Sequence, residues 1–103
     1  GKRAPMGGIA ERLADRVVLT DDNPRHEDPA RIVDMILQGM SHPGRARVLR
    51  ERAAAIAASL DGAGPGDVVV IAGKGHEDYQ LVGAERREFS DRAFVSSLAG
   101  RAA

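Results

Sequence analysis

The stretch "DRVVLTDDNPRHEDPARIVDMIL" (15–37) decides the fold. Within its first six residues Val17, Val18, Leu19 and Thr20 run on without polar alternation, which predicts a strand over 15–20 buried on both faces, as in a parallel sheet. Asp28 followed by Pro29 pairs an N-cap with a first helical position. Ile32, Val33, Ile36, Leu37 and Met40 then recur at helical spacing until "SHPG" (41–44) stops them. Between strand and helix stand Asp21, Asp22, Asn23, Pro24 and Arg25. A plain connector needs no such crowd of charge.

Outward from this unit the alternation continues. Pro5 with Met6, Ile9 and Leu13 on one face predicts a short helix over 5–14. "RARVLR" (45–50) is a weak strand candidate, and Ala53, Ile56, Ala57 and Leu60 mark a helix from Glu51 to Leu60. "VVVIAG" (68–73) is a second fully apolar run and the clearest strand of the chain. "YQLVGAERREF" (79–89) reads as a hairpin turning near Gly83 and Ala84, and Asp91 as the cap of a last helix carrying Phe94, Val95 and Leu98. Helices alternating with apolar strands predict an α/β fold: a mostly parallel three-layer sheet with right-handed crossovers, closed by the C-terminal hairpin.

The composition excludes several classes. The 103 residues suit one domain, and 15 basic against 15 acidic residues leave no net charge, so a nucleic-acid surface has no electrostatic support. The absence of cysteine rules out disulfides and thiolate metal sites and fits a cytoplasmic setting. No apolar run approaches the ~20 residues of a membrane span. The opening "GKRAPMGG" reads like the middle of a loop, so a fragment is expected.

Ligands of open parallel sheets gather beyond the carboxyl ends of the strands. Two polar turns occupy that position, "TDDNPRH" after the first strand and "GKGHEDYQ" after the second. In the first, Pro24 stiffens the chain that presents Arg25. A guanidinium binds a carboxylate through paired hydrogen bonds, Asn23 adds an amide donor, and Asp21 or Asp22 could meet an ammonium. In the second, glycines allow close backbone approach and Glu77 supplies negative charge. Taken singly, each turn also has a plainer account: an Asx turn with a solvated Arg25, and a glycine-rich turn with exposed Lys74 and Glu77. No P-loop is present, since Lys74 is followed by Gly75 and no glycine stands five places before Gly73. His26, His42 and His76 form no metal pattern, and no nucleophile lies beside a base. Residue chemistry thus predicts a site that binds an amino-acid head group, with no catalytic and no metal-ligating residue.

"GKRAPMGGIAERLADRVVLTDDNPRHEDP" and "GDVVVIAGKGHEDYQLVGAERREFSDR" resemble the C-terminal domain of the Mur ligases over nearly the whole chain. "DNPR" with "GKGHE" resembles the branch that adds meso-diaminopimelate to UDP-N-acetylmuramoyl-L-alanyl-D-glutamate in peptidoglycan synthesis. The resemblance implies a Rossmann-like sandwich, here lacking its first strand, whose substrate-binding residues are Asp22, Asn23, Arg25, Gly73 and Glu77. Asn23 and Arg25 would hold the distal carboxylate of diaminopimelate, and Gly73 and Glu77 its ammonium. It assigns Lys2 and Arg3 to the nucleotide side. ATP and magnesium would be bound mainly by a central domain absent from this sequence, and the chain's other partners would be its own N-terminal and central domains. The implied enzyme is a cytoplasmic, ATP-dependent ligase, inactive as this fragment alone, and the isolated fragment is expected to be marginally stable or aggregation-prone. The rival expectation is a stand-alone amino-acid-binding or regulatory α/β module.

Overall fold

A computed structural model describes residues 2–73, 77 and 79–102. In chain order the elements are α1 (Arg3–Leu13), β1 (Val18–Leu19), α2 (Pro29–Leu37), a 3-10 turn (Pro43–Arg45), β2 (Arg47–Val48), α3 (Arg52–Asp61), β3 (Tyr79–Val82), β4 (Glu85–Glu88) and α4 (Asp91–Ala102). The alternation is the expected α/β order. β1 pairs with β2 in parallel, Val18 opposite Arg47 and Leu19 opposite Val48. The weak candidate at 45–50 is therefore a strand. β3 and β4 form the expected antiparallel hairpin, turning through Gly83 at φ +61°. All four β4 residues, "ERRE", are exposed, and charge on an outer strand discourages pairing with other chains.

The helix starts follow local chemistry. Asp28 caps α2 by accepting from the Ala30 N–H, with Pro29 inside the first turn, as its sequence predicts. Glu51 caps α3 by accepting from Ala53 and Ala54. At α4 the expectation needs correcting. Ser90 takes the cap, its Oγ accepting from the Ala93 N–H at 3.2 Å, while the Asp91 carboxylate is drawn into an ion pair with Arg52.

Two apolar readings also change. The Met6, Ile9 and Leu13 face of α1 is exposed and Gly7 is the buried residue, because α1 crosses α2 on glycines. A Cβ at Gly7 would overlap the Ile36 carbonyl, and one at Gly39 would overlap the Ala4 carbonyl. The second correction concerns 68–73. Among the described residues this segment joins no ladder, and Val68 and Val70 are 86% and 81% exposed. Apolar, β-branched composition favours a strand but cannot supply the neighbour whose backbone completes it. Among the described residues, the buried apolar side chains of the helical regions are Val33 and Met40 around α2 and Ala55 and Ile56 from α3.

Candidate functional site

Beyond β1 the chain is tied down residue by residue. Asp21 pairs with Arg50 through Nε at 2.7 Å and Nη2 at 3.2 Å, which commits that carboxylate. The ammonium role open to either Asp21 or Asp22 therefore falls away from Asp21. Gln80 on β3 donates its side-chain amide to the carbonyls of Asp21 and Asp22 at 3.4 and 3.0 Å. Asn23 Oδ1 accepts from the Leu81 N–H at 2.9 Å. That bond uses the amide oxygen and leaves the NH2 group as the donor it does not engage.

Pro24 is buried, and Arg25 follows it at φ +55°. For a residue other than glycine this left-handed backbone costs roughly 1–2 kcal/mol, so something must hold it there. Two backbone hydrogen bonds do so. Arg25 N–H donates to the Leu81 carbonyl at 2.9 Å, and the Arg25 carbonyl accepts from Gly83. The bridge runs parallel to β3 beside Val82. The Arg25 side chain is exposed and has no ion-pair partner among the described residues.

The second turn approaches the first at Gly73, whose φ is +105°. The backbone conformation is one that side chains resist, which favours glycine, and a Cβ there would press on Asp22 Oδ2 at 3.3 Å, so Asp22 would have to give way slightly. Glu77 is half-buried, and its Oε2 accepts from the Tyr79 hydroxyl at 3.1 Å. The Arg86 guanidinium lies 4.4 Å from the Tyr79 ring centroid. The hydrogen bond to Glu77, helped by that carboxylate's charge, raises the Tyr79 pKa, and the positive charges of Arg86 and Arg25 oppose the rise. Lys74, Gly75, His76 and Asp78 lie outside the described residues.

Of the residues expected on the nucleotide side, Lys2 is exposed and precedes α1, while Arg3 forms a forked pair with Glu27 at 2.8 and 2.9 Å. Arg3 draws Glu27 below the usual carboxylate pKa, its hydrogen bond contributing most.

Sequence reasoning missed Arg52. It is 3% exposed and bonds Asp91 through Nε at 2.7 Å and Nη2 at 2.6 Å. It also donates to the Asp21 carbonyl and the Ala72 carbonyl, each at 3.2 Å. Burial opposes its charge, yet Asp91 outweighs that with help from Asp22, so the guanidinium pKa sits above its usual value. A signal was available. A cation at the first position of a helix sits against the positive end of the helix dipole, a small cost that a tertiary partner would offset but that an exposed helix start also tolerates.

Residues 1–75 match the family described as "Mur ligase, glutamate ligase domain". The chain belongs to this family. A solved structure of UDP-N-acetylmuramoyl-L-alanyl-D-glutamate–2,6-diaminopimelate ligase superposes with a TM-score of 0.90 at 42% identity, covering 99% of this chain and 21% of that one. The chain thus spans about a fifth of that ligase's length. Within this Mur ligase domain, no group of three or more His, Cys, Asp or Glu side chains among the described residues could hold a metal ion. No described helix is long and apolar enough to cross a membrane. The first turn offers the exposed Arg25 guanidinium on a fixed backbone and the Asn23 amide, and beyond the second stands the half-buried Glu77 carboxylate. That combination complements a ligand end carrying a carboxylate and an ammonium.

Proposed function

We propose that this domain binds and orients meso-diaminopimelate for an ATP-dependent amide ligase, which joins it to UDP-N-acetylmuramoyl-L-alanyl-D-glutamate in the cytoplasmic stage of peptidoglycan synthesis. Arg25 and the Asn23 amide receive the distal carboxylate, and Glu77 with the Gly73 backbone receives the distal ammonium. Asp22 stands behind Gly73 and keeps its approach tight. ATP and magnesium are held by parts of the polypeptide outside these residues, whose sequence contains no P-loop. Lys2 and Arg3 are the residues of this chain nearest in role to the nucleotide.

The reaction activates the side-chain carboxylate of the glutamyl residue by taking up the terminal phosphoryl group of ATP. The near amine of diaminopimelate attacks the acyl carbon, a C–N bond forms, the C–O bond to phosphate breaks, and the amine proton leaves to solvent. None of the residues described here makes or breaks those bonds. Their contribution is orientation, worth several kcal/mol of barrier when the reacting atoms are pre-aligned.

The observation that carries this reading is Arg25 held in a left-handed conformation by backbone hydrogen bonds to Leu81 and Gly83, at the end of the strand that follows Glu77. Its test is Arg25→Ala in the full-length ligase. Loss of hydrogen bonds to a charged group should raise the KM for meso-diaminopimelate by about 10- to 100-fold, with the KM for ATP held within about twofold. Preference over lysine, which lacks the distal carboxylate, should shrink with it. An unchanged KM for meso-diaminopimelate would refute the assignment.

A further inference from the structure

We infer that Arg52 is a positioning residue for the amino-acid site, a buried guanidinium that sets the spacing between the two turns. The inference rests on the binding role proposed above. Its basis is where the donors go. Arg52 opens α3, and its side chain reaches the carbonyl of Asp21, the last residue before "DNPR", and the carbonyl of Ala72, the last before Gly73. Each turn is therefore anchored at its root by the same planar group. Asp91, the first residue of α4 and 5% exposed, accepts from two further donors and fixes the plane of the fork.

No direct ladder joins 68–72 to β1 among the described residues, so the guanidinium supplies a link that backbone pairing does not. If that link sets the distance from Arg25 to Glu77, its loss should change how well both ends of one ligand are met together. Lysine cannot stand in. Its single ammonium has a shorter reach and no rigid fork, and it could keep Asp91 while losing at least one carbonyl.

The test compares three variants of the full-length ligase, each read as separate KM and kcat values with a thermal melt. Arg52→Lys should raise the KM for meso-diaminopimelate about tenfold and leave the KM for ATP within about twofold. The double variant Arg52→Met with Asp91→Leu removes both buried charges, an exchange that proteins often accept without loss of stability. It should show the same rise in KM at an unchanged melting temperature. A residue that only holds the fold together would behave otherwise. Its loss would lower the amount of active enzyme, so the apparent kcat would fall while the KM stayed put. That pattern in Arg52→Lys would overturn the inference, whether or not the double variant folds. Arg25→Ala run alongside separates the two claims. If it raises the KM and Arg52→Lys does not, the positioning role fails alone; if it has no effect, the binding role has failed.

Discussion

Tyr79 is the only tyrosine in the chain, and it stands between the Glu77 carboxylate and the Arg86 guanidinium. Its hydroxyl donates to Glu77, so the neutral phenol is favoured in the folded state and the pKa rises. The sign follows from linkage. The stabilisation is fully present below the unfolded tyrosine pKa, about 10, and is lost as pH climbs through the higher folded value. Titrating tyrosinate absorbance of the folded chain should give a midpoint above that of the same chain in denaturant. Glu77→Gln should move the folded midpoint down, since the charge that disfavours a phenolate has gone. A midpoint indifferent to Glu77→Gln would mean the hydroxyl is not on Glu77 in solution. At this scale the crowding of "DDNPR" marked a turn with more charge than a connector needs, but not which partner each residue takes. Asp21 and Asp22 look alike on paper, and only the fold brings Arg50 to the first and Gly73 to the second. Arg52 was hidden by ordinary company, because "ERAAA" reads as a solvated helix start.

Elements were legible wherever local chemistry chooses them. Asp28-Pro29 began α2, and Gly83 turned the hairpin at the expected place, because capping and turn geometry depend on a few neighbouring residues. Faces and ladders were less legible, since they depend on partners distant in sequence. The α1 stripe at Met6, Ile9 and Leu13 has good amphipathic spacing, yet backbone proximity to α2 decides which side is buried. Gly7, Gly8 and Gly39 let the two helices meet almost backbone to backbone; a Cβ on Gly8 would come 2.8 Å from the Gly39 carbonyl oxygen. Gly39→Ala should therefore part α1 from α2 and cost about 1–3 kcal/mol, the usual penalty for overpacking. The solvent-facing control is Gly44→Ala, because a Cβ at Gly44 meets nothing within 4 Å. Equal urea midpoints for the two variants would show that the close crossing is not maintained in solution.

The whole molecule is a plate, 41 × 36 × 18 Å, with little interior. It exposes 7214 Å², where a compact monomer of its mass would expose about 5,600 Å². The excess is about twice the ~800 Å² that one partner loses in a standard-sized interface. Much of what is left open is apolar: Val68 and Val70 on the segment that joins no ladder among the described residues, and Leu13, Met6 and Ile9 on α1. An extended, β-branched segment with free backbone groups is a template for pairing with another chain. The 103-residue chain by itself should therefore self-associate, its sedimentation coefficient rising with concentration. Val68→Lys with Val70→Lys should suppress this, because both side chains are already in solvent and charge on a strand edge opposes edge-to-edge pairing. Helix content by circular dichroism should hold, since neither position contributes to the buried cluster of Val33, Met40, Ala55 and Ile56. A chain that stays monomeric at every concentration, with reversible two-state unfolding, would show that the open strip is covered from within and that 68–72 finds its ladder inside the same 103 residues.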